Sequence, residues 1–238
     1  MKPMKNILCY GDSNTWGFNP ASVEDMKNGR FSRDKRWTGV LQKRLGQEYY
    51  IIEEGLNGRT TVFDDPAAPG RNGLKFLETC ITTHQPLDLI VIMLGTNDTK
   101  ATYSVPVKEI VNGMEALIKI SKNPYAVSFG DPPEVLIVSP VFVGERVEES
   151  WLWEIFDHTS VEKSKRLAAE YKRLAALYGC YFLDASDVAR TAPSECIHID
   201  EAGHAALASA LAGKIKEIGV ILKTGVWRNL AKRRILLG

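Results

Sequence analysis

Runs of consecutive apolar residues alternate along the chain with segments whose apolar positions recur every three or four residues. The first run, Asn6 to Tyr10, reads as a strand. Trp37 to Leu45 follows as an amphipathic helix, with Trp37, Val40, Leu41 and Leu45 on one face. Tyr49 to Ile52 is the second predicted strand, and Gly73 to Thr83 the next helix. Leu87 to Leu94, LDLIVIML, is apolar but for Asp88, as expected of a parallel strand covered on both faces. Pro106 to Ser121 predicts a helix opened by proline. Val135 to Val138 is the fourth strand, Ser150 to Tyr178 one long helix or a broken pair, Cys180 to Leu183 the fifth strand, and Asp200 to Ile218 the last main helix. Asn123 to Pro133 and Val141 to Ser150 read as irregular. Strands alternating with helices predict an α/β fold, a parallel sheet with helices on both faces.

In such a sheet the carboxyl ends of all strands lie along one edge, where sites are built. The residues that follow the strands are therefore the informative ones. They are Gly11-Asp12-Ser13-Asn14, Gly55-Leu56-Asn57-Gly58-Arg59-Thr60-Thr61, Gly95-Thr96-Asn97-Asp98, Ser139-Pro140 and, before the last helix, Glu195-Cys196-Ile197-His198. Gly, Asp, Ser and Asn are common turn formers, so each block alone is weak. Together they supply what acyl transfer needs. Ser13 is a candidate nucleophile and His198 the base that takes its proton. The Asn97 amide and the backbone N–H groups of Gly58 and Ser13 are candidate donors to an oxyanion.

Composition narrows the setting. The 238 residues, 45% of them hydrophobic, suit one α/β domain. Lys and Arg number 30 against 29 Asp and Glu, so no strong field points to nucleic acid or membrane. The four cysteines, Cys9, Cys80, Cys180 and Cys196, are too widely spaced for a zinc or C-x-x-C motif, and Cys9 and Cys180 read as buried thiols. The amino-terminal apolar stretch is too short for a signal peptide and no run is long enough to span a membrane, so a cytoplasmic protein is expected. The segment after Gly219, with Lys223, Arg228, Lys232, Arg233 and Arg234, reads as a solvated basic tail or, second, an oligomer contact.

The blocks GDSNTWG, GLNGRTT, MLGTNDTK and ECIHIDEAGHAALA, taken together, resemble the SGNH, or GDSL-type, serine esterases. RWTGVL and EEGLNGRTT are similar to the bacterial arylesterase and acetylesterase/acyltransferase branch. The resemblance runs from residue 5 to about residue 218 and implies one domain, a three-layer α/β/α sandwich on a five-stranded parallel sheet, with no metal or organic cofactor. It implies Ser13 as nucleophile, His198 as base and Ser13, Gly58 and Asn97 as oxyanion hole. Asp12 would hold the oxyanion elements and Trp16 would line the acyl pocket. One departure stands out: the family places Asp three residues before the catalytic His, and here that residue is Glu195. A Glu can orient the imidazole; Asp200 or a backbone carbonyl are the alternatives.

Other residues carry weaker signals. Trp151 and Trp153 follow the fourth strand and are candidates for a substrate wall, possible also with a neighbouring subunit, against a plain packing role. His158 is placed near the same mouth, His204 reads as structural or surface, His84 as a helix-end residue, and Arg59 as a structural cation on backbone carbonyls or a carboxylate. The expected reaction is cleavage of a small, short-chain acyl ester, with transfer to alcohols as an extension. Thioester or lysophospholipid cleavage, and a non-catalytic carbohydrate- or nucleotide-binding module, are the competing readings. The module does not require the Ser13, Asn97 and His198 set, and no phosphate-binding glycine motif is present.

Overall fold

A computed structural model describes residues 4–23, 29–126 and 131–224. Five strands, β1 (Lys5–Gly11), β2 (Tyr49–Gly55), β3 (Leu89–Met93), β4 (Glu134–Ser139) and β5 (Tyr181–Asp184), form one sheet. Every pairing is parallel and the order is β2-β1-β3-β4-β5. The helices are α1 (Ser13–Trp16), α2 (Trp37–Leu45), α3 (Gly73–Thr83), α4 (Val107–Ser121), α5 (His158–Tyr178) and α6 (Glu201–Thr224).

The two-residue period of the strands divides the core. Ile7 and Cys9 of β1, Leu89, Val91 and Met93 of β3, and Leu136 and Val138 of β4 pack with Trp37, Leu41, Leu211 and Ile215 of α2 and α6. Their sequence neighbours Leu8, Tyr10, Ile90, Ile92, Val135 and Ile137 face the other way, onto α3, α4 and α5. Both faces are thus covered, which is why Leu89 to Met93 shows no polar alternation. A third, smaller cluster joins Val143, Val147, Leu152 and Phe156 of the loop after β4 to Val161 of α5 and to Cys196 and Ile197.

The differences from the sequence reading lie at ends and loops. The stretch from Ser150 is not helical until His158, because Asp157 starts α5 with a capping box in which its carboxylate accepts from Ser160 N–H and the Ser160 hydroxyl accepts from Asp157 N–H. Pro106 stands as N-cap, just outside α4. The last helix runs on to Thr224 and takes in Lys223, correcting a tail that begins at Gly219; Arg228, Lys232, Arg233 and Arg234 lie outside the described residues. Cys9 is buried, but Cys180 is only half-buried. Among the described residues no helix is long and apolar enough to cross a membrane.

Candidate active site

The chain leaves β1 in one direction across the sheet to β2 and reaches β3 on the other side, so the topological switch lies between β1 and β3. Ser13 follows β1 and Asn97 follows β3, which puts both at that crevice. Asp12 is the N-cap of α1, its carboxylate accepting from Asn14 N–H at 3.0 Å. Ser13 therefore opens a helix, and its N–H is among the first-turn donors that have no intrahelical acceptor. The turn of α1 sits directly on the end of β2: a Cβ on Gly55 would lie 2.2 Å from the Trp16 backbone nitrogen.

His198 comes from the loop before α6, 185 residues away in sequence, and its Nε2 is 2.8 Å from Ser13 Oγ. Its Nδ1 is 2.5 Å from Glu195 Oε2. The other carboxylate oxygen, Oε1, accepts from Ile197 N–H at 3.2 Å and from His198 N–H. Glu195 is fully buried, and these donors compensate its removal from water. Between the two residues the chain turns at Cys196, which has φ +65°, and the longer acidic side chain folds back over that turn. Asp200 is engaged elsewhere: its carboxylate accepts from Gly203 N–H at 2.8 Å at the start of α6.

Asn97 is buried, and its Nδ2 donates one hydrogen to Arg59 O at 3.1 Å. An amide carries two hydrogens, so the second is available to an acceptor in the crevice. Gly58 occupies the third position of the Leu56–Arg59 turn, closed by Arg59 N–H to Leu56 O at 3.0 Å, with φ +79°. Arg59 ties the strand ends together by donating to the carbonyls of Gly11, at 3.0 Å, and Glu54, with its guanidinium 4.1 Å from the Tyr10 ring centre. Asp98 accepts from Thr61 N–H at 2.9 Å and from the Thr61 hydroxyl, which joins the segment after β3 to that after β2. Burial pushes the Asp98 carboxyl up to about 6 against the Thr61 hydrogen bonds. Burial likewise raises Asp12 to about 6, opposed by Asn14 N–H, His198, Arg59 and Thr96.

Trp16 is half-buried, with the Arg30 guanidinium 4.8 Å from its ring centre. Trp151 and Trp153 are 51% and 58% exposed on the loop after β4, whose inner residues Val147, Leu152 and Phe156 pack beside Cys196 and Ile197. His158 is exposed at the start of α5 beside Glu148. His84 caps the end of α3, 2.9 Å from Glu54. His204 is fully buried, its Nδ1 accepting from Trp37 N–H at 3.1 Å at the start of α2, and burial drives its pKa down to about 3. Two neighbours of the site escaped the sequence reading. Phe18 stacks on the His198 imidazole, ring centres 4.1 Å apart at 29°. Asn14, read only as a turn former, reaches the backbone on both sides of His198. No periodicity marks either residue; only their nearness to Ser13 in sequence could have prompted a closer look.

A hydroxyl, an imidazole and a carboxylate in one hydrogen-bonded line at the switch point of a parallel sheet define the serine-hydrolase class. The chain belongs to the GDSL-like lipase/acylhydrolase family, whose model matches residues 9–206. No curated protein matches it at a significant level. Among solved structures, the aryl esterase of M. smegmatis is 42% identical with a TM-score of 0.83, over 90% of this chain and 99% of the other. A carbohydrate acetylesterase from Sinorhizobium meliloti is 37% identical with a TM-score of 0.84, over 90% and 99%. A lipase/acylhydrolase from Enterococcus faecalis, 18% identical with a TM-score of 0.65 over 90% and 96%, shares the fold.

Proposed function

We propose that the protein is a carboxylic-ester hydrolase acting on short acyl esters, acetyl esters of aryl alcohols or sugars above all, through an acyl-enzyme on Ser13. The observation that carries the reading is the unbroken line from Ser13 Oγ through His198 to Glu195, at 2.8 and 2.5 Å. Ser13 Oγ attacks the ester carbonyl carbon while its proton passes to His198 Nε2. Glu195 holds the imidazole with its proton on Nδ1 and stabilises the imidazolium. The N–H groups of Ser13 and Gly58 and the free Asn97 hydrogen receive the oxyanion. When the tetrahedral species collapses, the carbon–oxygen bond to the alcohol breaks and His198 returns its proton to the leaving oxygen. Water, its proton taken by His198, then releases the acid and restores Ser13; an alcohol in its place gives acyl transfer.

The arylesterase and carbohydrate acetylesterase neighbours support the substrate range. One domain, a cytoplasmic location and assembly into oligomers complete the proposal; the exposed Trp151 and Trp153 favour contacts with another copy. Hydrolysis of p-nitrophenyl acetate, butyrate and octanoate by wild type and Ser13→Ala tests the reading. Acetate is expected to turn over fastest, with Ser13→Ala at background. A preference for octanoate would move the substrate class towards lipid esters, and equal rates for the two proteins would overturn the assignment.

A further inference from the structure

We infer that Asn14 is a positioning residue that holds the catalytic base against the nucleophile. The inference rests on the serine-hydrolase reading above. Asn14 is the residue after Ser13 in α1, and its side chain is almost fully buried. Its Nδ2 donates to Ile197 O at 3.3 Å, and its Oδ1 accepts from Ile199 N–H at 3.0 Å. The two bonds bracket His198. They also fix which way the amide points, since a carbonyl demands the donor and an N–H the acceptor.

The backbone polar groups from the Ile197 N–H to the Ile199 N–H can each be accounted for, and just before them the Cys196 carbonyl accepts from Gly144 N–H at 2.8 Å, which anchors the turn to the loop after β4. The N–H groups of Ile197 and His198 both go to Glu195 Oε1. The His198 carbonyl accepts from Ala192 N–H at 2.7 Å. What is left, the Ile197 carbonyl and the Ile199 N–H, goes to Asn14. Glu195 and Ala192 belong to the same loop as His198 and move with it. Asn14 belongs to the helix that carries Ser13. Its amide therefore ties the loop of the base to the turn of the nucleophile, and so sets the spacing across which the Ser13 proton moves, 2.8 Å between heavy atoms. Apolar contacts of Ile197 and Ile199 keep the loop packed but set no register along the Ser13–His198 axis.

Asn14→Leu removes both bonds at similar volume. Asn14→Asp keeps an acceptor for Ile199 N–H, loses the donor to Ile197, and brings a negative charge next to the imidazole. The measurements are kcat and KM for p-nitrophenyl acetate across pH, the urea midpoint, and the low-field proton resonance of His198 Nδ1–H. For Asn14→Leu, kcat is expected to fall about ten- to a hundredfold with KM changed less than about twofold, as for a misplaced base. The Nδ1–H resonance should broaden or move. For Asn14→Asp the loss should be smaller, and the acid limb of the profile should shift to higher pH. If folded Asn14→Leu keeps kcat within about twofold, or raises KM alone, the inference falls. Should Asn14→Leu not fold, Asn14→Asp decides: wild-type kcat, an unmoved acid limb and an unmoved resonance would overturn it. If wild type hydrolyses the ester no faster than Ser13→Ala, the esterase reading fails instead. The resonance still reports on Asn14 in that case, without substrate: its movement supports the tie, and its constancy refutes it.

Discussion

Replacing Glu195 by Gln tests the proposed role of its carboxylate in orienting His198, because the amide offers only two ways to sit. With its oxygen on the Ile197 and His198 N–H groups, where Oε1 now accepts, its NH2 faces His198 Nδ1. Nδ1 must then accept, the ring proton moves to Nε2, and Nε2 can no longer take the proton of Ser13. A triad held in that wrong tautomer loses about 10⁴ in kcat, or about 5 kcal/mol in the barrier. Turned over, the amide orients the imidazole correctly but sets an NH2 against two buried N–H donors. Each unmade bond there costs about 1–3 kcal/mol, so neither pose escapes. The expected result is a fall in kcat/KM of about 10³ to 10⁴. The urea midpoint should move little, because the first pose keeps the backbone acceptor. Glu195→Asp, shorter by about 1.5 Å, keeps the charge and should retain more activity than Glu195→Gln. The assay is p-nitrophenyl acetate hydrolysis from pH 5 to 10, with Ser13→Ala as the floor. Glu195→Gln within tenfold of wild type would refute the reasoning and leave the 2.5 Å contact without a part in orienting His198.

His204, neutral in the fold with a pKa of about 3, gains a proton in the unfolded chain near 6.5. The folded state therefore binds fewer protons between those values, and its contribution is full above pH 6.5 and lost as pH falls. At pH 5.5 the loss from this one group is on the order of 1 kcal/mol. His204→Asn keeps an acceptor for Trp37 N–H, so urea unfolding at pH 8 and 5.5 should show a difference smaller by about that amount than in wild type; an identical difference would show that His204 is not the cause. Gly55→Ala puts a methyl on the Trp16 backbone and should displace α1, lowering both the melting temperature and kcat. A variant with wild-type kcat would show that α1 can lift without moving Ser13.

The inner strands were legible because they are buried on both faces: Leu89 to Met93 is entirely buried, so its sequence had to be apolar throughout, whereas the edge strands β2 and β5 are only partly buried. The blocks after the strands were legible for a related reason. A parallel sheet brings its strand ends together, so Ser13 and Asn97 could be placed at one edge without coordinates. Helix starts were harder. The three aromatics Trp151, Trp153 and Phe156 resemble a helical stripe, and only the reciprocal Asp157–Ser160 cap shows that α5 begins after them. Of the three, Phe156 is core while the two tryptophans stay exposed, a division that composition does not reveal.

What no pattern could show is how His198, near one end of the chain, is held against Ser13, near the other. Glu195 and His198 are three residues apart, so their pairing is a local matter of one turn and could be weighed from sequence. Phe18 and Asn14 meet His198 across some 180 residues, through a ring face and two backbone bonds. Neither kind of contact leaves a period in the sequence. Backbone partners in particular place no demand on which residue stands opposite: Ile197 and Ile199 would offer Asn14 the same carbonyl and N–H whatever their side chains. The position of the reacting atoms thus depends on groups whose identity the facing sequence does not encode. Substitutions at Asn14, more than at the recognisable blocks, are where a reading from motifs alone would misjudge the effect on catalysis.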